Sequence, residues 1–294
     1  MGAADGTKPT EDHSRKAALY VVATPIGNLE DITLRAIRVL KEVDLIACED
    51  TRQTQKLLNH YAIHTSTISY HEHNEMSRAS ELMKKLEAGT RIALVTDAGM
   101  PGISDPGYRL ISMAVSRGLE VVPIPGPAAF LTALIASGLP TDSFQFNGFL
   151  PPRRSKRRQV LDSIRASTRT QIFYEAPHRI RECLEDVADI LGPERHIVVA
   201  REVTKLHEEF LRGRAADLLD FAIQRELKGE ITLLIGKADE STATEQGASR
   251  NDIQARFKRI VAEQQLDEKS ALKKLAKELG LSRSEAYREL QRSK

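Results

Sequence analysis

The chain has 294 residues, 41% hydrophobic and 29% charged, a composition that fits a soluble globular protein with room for two domains and a small appendage. Its two cysteines, Cys48 and Cys183, form no CxxC pair, which argues against a disulfide framework or a zinc knuckle and for a reducing cytoplasm. The formal net charge of +2 hides a split: residues 250–294 carry 12 Lys and Arg against 7 Asp and Glu, while the rest of the chain is net negative. A basic tail of this kind is either a nucleic-acid footprint or a solvated helical surface.

The opening segment, Met1 to Lys16, is polar and has no apolar signal core, and no later run reaches the ~20 apolar residues of a membrane span. Secretion and membrane insertion are therefore not expected, and residues 1–16 are expected to be disordered. Leu19 to Ala23 reads as a strand that ends at Thr24-Pro25-Ile26-Gly27-Asn28, and Asp31 to Leu40 has helical apolar spacing. The alternation recurs with a strand at Leu45 to Cys48, helices near Thr54 to His60 and over Met76 to Ala88, and a strand at Ile92 to Val95. A helix over Tyr108 to Arg117, the strand Leu119 to Ile124 and a helix running through Ala136 complete a doubly wound α/β domain over 17–145.

From Phe149 the pattern changes. Helix Lys156 to Ala166, strand Gln171 to Tyr174, helix Arg179 to Leu191, strand His196 to Ala200, helix Ala215 to Gln224 and strand Glu230 to Ile235 predict a second α/β domain over 146–238. Residues 239–250 are polar and low in apolar content, hence a linker. Over 251–294, a helix ending at Gly280 and a second starting at Ser282 give a helix-turn-helix-like pattern, a unit that serves either nucleic-acid contact or packing.

The most informative segment is Val95 to Gly107, VTDAGMPGISDPG, where an apolar strand runs into three glycines, two prolines and two carboxylates. Glycine admits close backbone approach, and loops at the carboxyl ends of strands are where open α/β sheets bind small molecules. Pro125-Gly126-Pro127-Ala128-Ala129 opens a helix with small residues, so a ligand can approach its backbone amides. The first βα turn lacks GxGxxG, which argues against a pyrophosphate site there.

Ala23 to Asp31, Cys48 to Arg52, Asp97 to Gly107, Pro125 to Pro127 and Phe173 to Arg179 together resemble, in order and spacing, the ribosomal RNA small subunit methyltransferase I family of the tetrapyrrole methylase-like methyltransferases. The similarity covers about Leu19 to Lys237, and the basic helical tail looks like the family's small C-terminal domain. The resemblance implies two α/β domains with S-adenosylmethionine in the cleft between them. It implies methylation of a cytidine ribose 2′-hydroxyl in the decoding region of 16S rRNA within the small ribosomal subunit, and it implies a homodimer.

On that basis Asp97, Ala98, Gly99, Ile103 and Ser104 are expected around the cofactor, with Ala128 and Ala129 leaving room for its adenosine. A weakly acidic ribose hydroxyl calls for a base or a cation at the developing alkoxide. Glu175 is taken as base or orienting group and Lys205 as cation, from two clusters, Glu175 with His178 and Arg201 with Glu202 and Lys205. Asn28 in the first turn and His178 are expected on the substrate side. Arg52 belongs either to a helix-start network with Glu49 and Asp50 or to a phosphate contact. Arg153, Arg154 and Arg157, within the run RRSKRR, are expected to bind RNA backbone, and Tyr70, Phe146, Phe149 and Tyr174 are candidates to stack a base. His71 and His73 lack a third nitrogen or sulfur ligand at convincing spacing, so no metal is expected. Two other readings stand beside this one: a methylase of a tetrapyrrole or other small molecule, and a ligand-sensing DNA-binding regulator.

Overall fold

Five short strands, β1 (Ala18–Val22), β2 (Leu45–Cys48), β3 (Thr67–Ser69), β4 (Ile92–Leu94) and β5 (Glu120–Ile124), form a parallel sheet in the order β3-β2-β4-β1-β5. In this computed structural model the described residues are 17–238, 257–258, 260–261, 267–278 and 283–292. The expectations for residues 1–16 and for the linker 239–250 therefore lie outside the described residues. Alternate side chains of a strand face opposite sides, and β1 shows both sides buried. Leu19 and Val21 pack with helices α3 (Glu75–Glu87) and α4 (Tyr108–Ser116), whereas Val22 packs with α1 (Leu34–Glu42) and α2 (Thr51–His60). The expected doubly wound arrangement is thus present, and the carboxyl ends of its strands point to one edge.

The second sheet has a different logic. Strands β6 (Phe144–Phe149), β7 (Thr170–Glu175), β8 (His196–Arg201), β9 (Glu209–Arg214) and β10 (Ile231–Ile235) lie in the order β6-β7-β10-β8-β9. Only the β6–β7 pair is parallel; the other three pairs are antiparallel. Helices α6 (Arg154–Ser163), α7 (Ile180–Leu191) and α8 (Ala215–Gln224) cover one face around Leu161, Leu184, Val187 and Leu218. The opposite face is covered by α5 (Ala129–Ser137), whose Ala133 and Leu134 pack on Ile172, Val198 and Leu234.

The boundary between the two α/β domains differs from the sequence expectation. Helix α5, assigned above to 17–145, is fastened to the second sheet, and the division at 145/146 falls inside β6. Gly138, at φ +80°, ends α5 in the left-handed conformation that glycine adopts at a helix C-terminus.

In the C-terminal part, α9 (Glu268–Glu278) and α10 (Arg283–Arg292) pack through Leu272 and Ala276 against Ala286 and Leu290, with Phe257 beside them. The expected helical pair is present, and its turn lies outside the described residues. No helix among the described residues is long and apolar enough to cross a membrane.

Candidate active site

The strand edge of the first sheet faces that of the second across a cleft of about 540 Å³. Its first wall is the loop after β4. Thr24 and Gly99 exchange backbone hydrogen bonds of 2.9 and 3.0 Å, and the Thr24 hydroxyl donates to the Thr96 carbonyl at 3.0 Å, so the turn after β1 and the loop after β4 form one unit. Gly99 sits at φ +83°, which a side chain would strain. Ser104 holds φ +63° without being glycine, and such conformations cluster where a ligand is clamped.

Asp97 ties in a third loop, because its Oδ1 accepts the Asp50 N–H at 3.1 Å. Asp50 in turn accepts from the Arg52 N–H at 2.8 Å and from its guanidinium at 3.2 Å, capping α2. The helix-start alternative for Arg52 is therefore realised, with a guanidinium that remains exposed. Burial pushes the Asp97 and Glu49 carboxyls up; the charge of Asp50 adds to the rise at Asp97, and that of Asp97 to the rise at Glu49.

The second wall comes from the second sheet. Because β10 runs antiparallel to β7 and β8, its beginning lies at the edge where they end. Glu230, Ile231 and Thr232 therefore join Tyr174, Glu175 and Val203 in the lining. Glu175 is buried; its Oε1 accepts from Arg179 at 2.7 Å and from the Ala176 N–H at 2.8 Å, and its buried Oε2 has no partner. Phe130 and Phe146 stack at 4.4 Å, and both Phe146 and Phe149 meet Tyr174 edge-on.

All seven residues expected around a cofactor line this one cleft: Asp97, Ala98, Gly99, Ile103, Ser104, Ala128 and Ala129. Glu175 lines it too. Lys205 does not act as a free cation. Its Nζ lies 3.0 Å from Glu202 Oε1 and 3.2 Å from Glu230 Oε1, and its stem covers Gly27, where a Cβ would come within 2.3 Å of Lys205 Cγ. Burial disfavours the Lys205 charge, but the hydrogen bonds it donates to Glu202 and Glu230 outweigh that and raise the amine above its ordinary value. Asn28 and His178 are exposed and outside the lining; Asn28 accepts the Glu30 N–H at 3.1 Å.

The basic run requires a correction. Arg157 is buried with no exposed surface: its Nε donates to Asp186 Oδ2 at 2.8 Å and its Nη2 lies 3.3 Å from Glu182. It cannot reach an RNA phosphate. Arg154 and Arg158 also turn to Asp186, at 3.0 and 2.9 Å, though Arg154 stays 63% exposed. Burial opposes the Asp186 charge, but hydrogen bonds from Arg158, Arg157 and Arg154 overcome it and hold the carboxyl below its usual range. Arg153 and Lys156 are exposed and have no ion-pair partner among the described residues. Tyr70 is corrected as well, being buried and donating to Glu75 at 3.0 Å, so it offers no stacking face.

The groups in or beside the cleft that were not singled out in the sequence include Glu230, Thr232 and Phe130. The signal for the first two was the direction of β10, which periodicity does not carry.

Comparison with known proteins agrees with this geometry. The family described as Tetrapyrrole (Corrin/Porphyrin) Methylases matches residues 18–219. Ribosomal RNA small subunit methyltransferase I of Halalkalibacterium halodurans is 54% identical over 231 residues, 79% of this chain and 80% of that protein. The protein of the same name from Synechocystis is 46% identical over 269 residues, 92% of this chain and 95% of its own length. Among solved structures, a diphthine synthase superposes with a TM-score of 0.61 at 14% identity, over 78% of this chain and 93% of that one, and shares the fold. The chain belongs to the ribosomal RNA small subunit methyltransferase I family, within the tetrapyrrole methylases.

Proposed function

We propose that this chain is an S-adenosylmethionine-dependent methyltransferase acting on the ribose 2′-hydroxyl of a cytidine in the decoding region of 16S rRNA, within the small ribosomal subunit. The observation that carries the reading is the convergence of Asp97, Ala98, Gly99, Ile103, Ser104, Ala128 and Ala129 on one interdomain cleft, in a chain 54% identical to a protein named for that rRNA subunit.

The cleft suits the cofactor on its own chemistry. Its volume lies in the ordinary range for small-molecule sites of about 300–1,000 Å³. Apolar groups such as Ile103, Phe130 and Ile231 line it and would pack on a flat ring, and the orphaned Glu175 Oε2 would accept a donor. Bound there, S-adenosylmethionine supplies a methyl group on an activated sulfonium. The backbone of 97–99 and the carboxylates of Asp97 and Glu175 would hold its polar ends, and Ala128 and Ala129 would permit close approach. Alignment of the reacting atoms is then the main task of the protein.

Glu175 is better suited to orienting than to proton abstraction, since Arg179 and the Ala176 N–H already occupy its Oε1. Lys205 works through Glu202 and Glu230, fixing the second wall over Gly27. Arg153, Lys156 and Arg52 supply exposed cations for phosphates, a role that fits a polyanionic substrate. The active form is a homodimer.

The test is transfer of labelled methyl groups from S-adenosylmethionine to purified 30S subunits from a strain lacking the endogenous activity, beside naked 16S rRNA, with the modified nucleotide mapped. Label on a cytidine 2′-oxygen in subunits is the expected result. No label in either substrate, with cofactor binding demonstrated, would overturn the assignment of substrate.

A further inference from the structure

A second cavity of about 620 Å³ adjoins the first, lined by Glu49, Glu72, Glu75, Tyr108, Arg109 and Ser112 among others. Among the described residues only Ser104 and Asp105 line both cavities. They sit side by side on the loop after β4, in a backbone fixed by Ser104 at φ +63°, by Pro106, and by Gly107, where a Cβ would come within 3.0 Å of Gly102 N. This pair is therefore the wall that the two cavities share.

We propose that Asp105 is the catalytic base of the methyl transfer, taking the proton from an acceptor hydroxyl presented through the second cavity. The inference rests on the methyltransferase reading above. In the step, a bond forms between the acceptor oxygen and the methyl carbon. The carbon–sulfur bond breaks with its electron pair remaining on sulfur, and the hydroxyl proton moves to an Asp105 carboxylate oxygen, from which water removes it.

Three observations separate Asp105 from the other carboxylates. Glu175 is held by Arg179, Asp97 accepts the Asp50 N–H, and Glu49 lines only the second cavity. The Asp105 carboxylate, by contrast, has no hydrogen-bond or ion-pair partner among the described residues. The groups that face it are the carboxylates of Glu49 and Asp97 and the Tyr174 phenol, with Glu72, Glu75 and Arg109 around the second cavity. Burial, then the negative fields of Glu49 and Asp97, push the Asp105 carboxyl up to about 6. A base in that range is ionised at neutral pH yet stronger than an ordinary carboxylate, as general-base catalysis requires. The acidic lining also suits a neutral nucleoside with an exocyclic amine, because carboxylates accept from the cytosine N4 group, and Tyr108, 75% exposed, presents a ring at the rim for stacking.

The experiment is single-turnover methylation of 30S subunits by wild type, Asp105→Asn and Asp105→Glu between about pH 5 and pH 8, with cofactor affinity measured by calorimetry on each. The expected result is a wild-type rate that rises about tenfold per pH unit and levels near pH 6, an Asp105→Asn rate lower by about 10²–10⁴ with unchanged cofactor affinity, and partial recovery in Asp105→Glu. An Asp105→Asn rate equal to wild type, or a parallel loss of cofactor binding, overturns the base while leaving the methyltransferase reading intact. If Asp105→Asn does not fold, a wild-type profile flat across that range overturns it. Absence of label with the wild type removes the underlying reading, and this inference with it.

Discussion

Replacing Asp186 with asparagine takes away the one charge that three arginines share. Asp186 and Arg157 are both fully enclosed, and the pair meets at 2.8 Å, with Arg154 and Arg158 completing the other carboxylate oxygen. In Asp186→Asn, Arg157 keeps its charge in the interior, with Nη1 already lacking a partner and only the distant carboxylate of Glu182 at 3.3 Å. Breaking a buried pair from one side costs about 3–5 kcal/mol. At roughly 2–4 °C per kcal/mol for a chain of this size, the melting temperature should fall by about 6–20 °C. Glu182→Gln is the internal comparison: Glu182 is 65% exposed, so its loss should cost less than about 1 kcal/mol. Replacing both partners, Arg157→Met with Asp186→Leu, should recover most of the loss, because an apolar pair of similar volume avoids desolvating two charges. Scanning calorimetry on the four proteins decides the matter. Equal shifts for Asp186→Asn and Glu182→Gln would refute the idea that the cluster is held together from inside.

Further outcomes follow from other parts of the structure. Asp105 has a folded value raised above the unfolded one, so the folded state binds its proton more tightly and the cost of ionising it grows as pH rises from about 4 to 6; Asp105→Asn should therefore melt above wild type at pH 7 and alongside it in acid, and the reverse order would contradict the burial argument. Gly126→Ala drives a Cβ to 2.8 Å from Ala23 Cβ, so it should cost about 1–3 kcal/mol and weaken S-adenosylmethionine binding by shifting Ala128, measured by calorimetry. Arg153→Ala should lower the slope of log affinity for 16S rRNA against log salt by up to about one, whereas Arg157→Met should leave that slope unchanged. Removing residues 251–294 should weaken binding to 30S subunits more than binding of S-adenosylmethionine, and equal losses would count against an RNA role for the tail.

Much of this molecule could be read before folding. Strands β1, β2, β4 and β5 were legible because each is an apolar run followed by turn residues and a helix, and a buried parallel strand needs no partner-specific signal. Strand β3 escaped because three half-buried residues carry no period. Strand β9, EFLRGR, escaped because an edge strand is polar enough to read as loop. The boundary placed at 145/146 fell inside strand β6, which breaks register between Phe146 and Phe149 and so carries no clean strand period. The cleft wall from the first domain was legible because glycine and proline punctuate strand ends. The opposing wall was not: Glu230 to Thr232 reach the cleft only because β10 runs antiparallel to its neighbours, a property of the whole sheet. Arg157 looked like its neighbours because its partner Asp186 lies 29 residues away.

Helix α5 begins beside the cleft with Ala128 and Ala129 and then buries Ala133 and Leu134 on the far sheet. The chain thus crosses from one half to the other upstream of the place where its sequence appears to divide. A fragment ending at 145 would carry an apolar helix with nothing to cover it, and a fragment starting at 146 would expose the sheet that helix protects. Attempts to express the halves separately, or to graft one onto a relative, should cut between β5 and α5. Ligand affinity would then return only when both pieces are mixed, as in a split reporter.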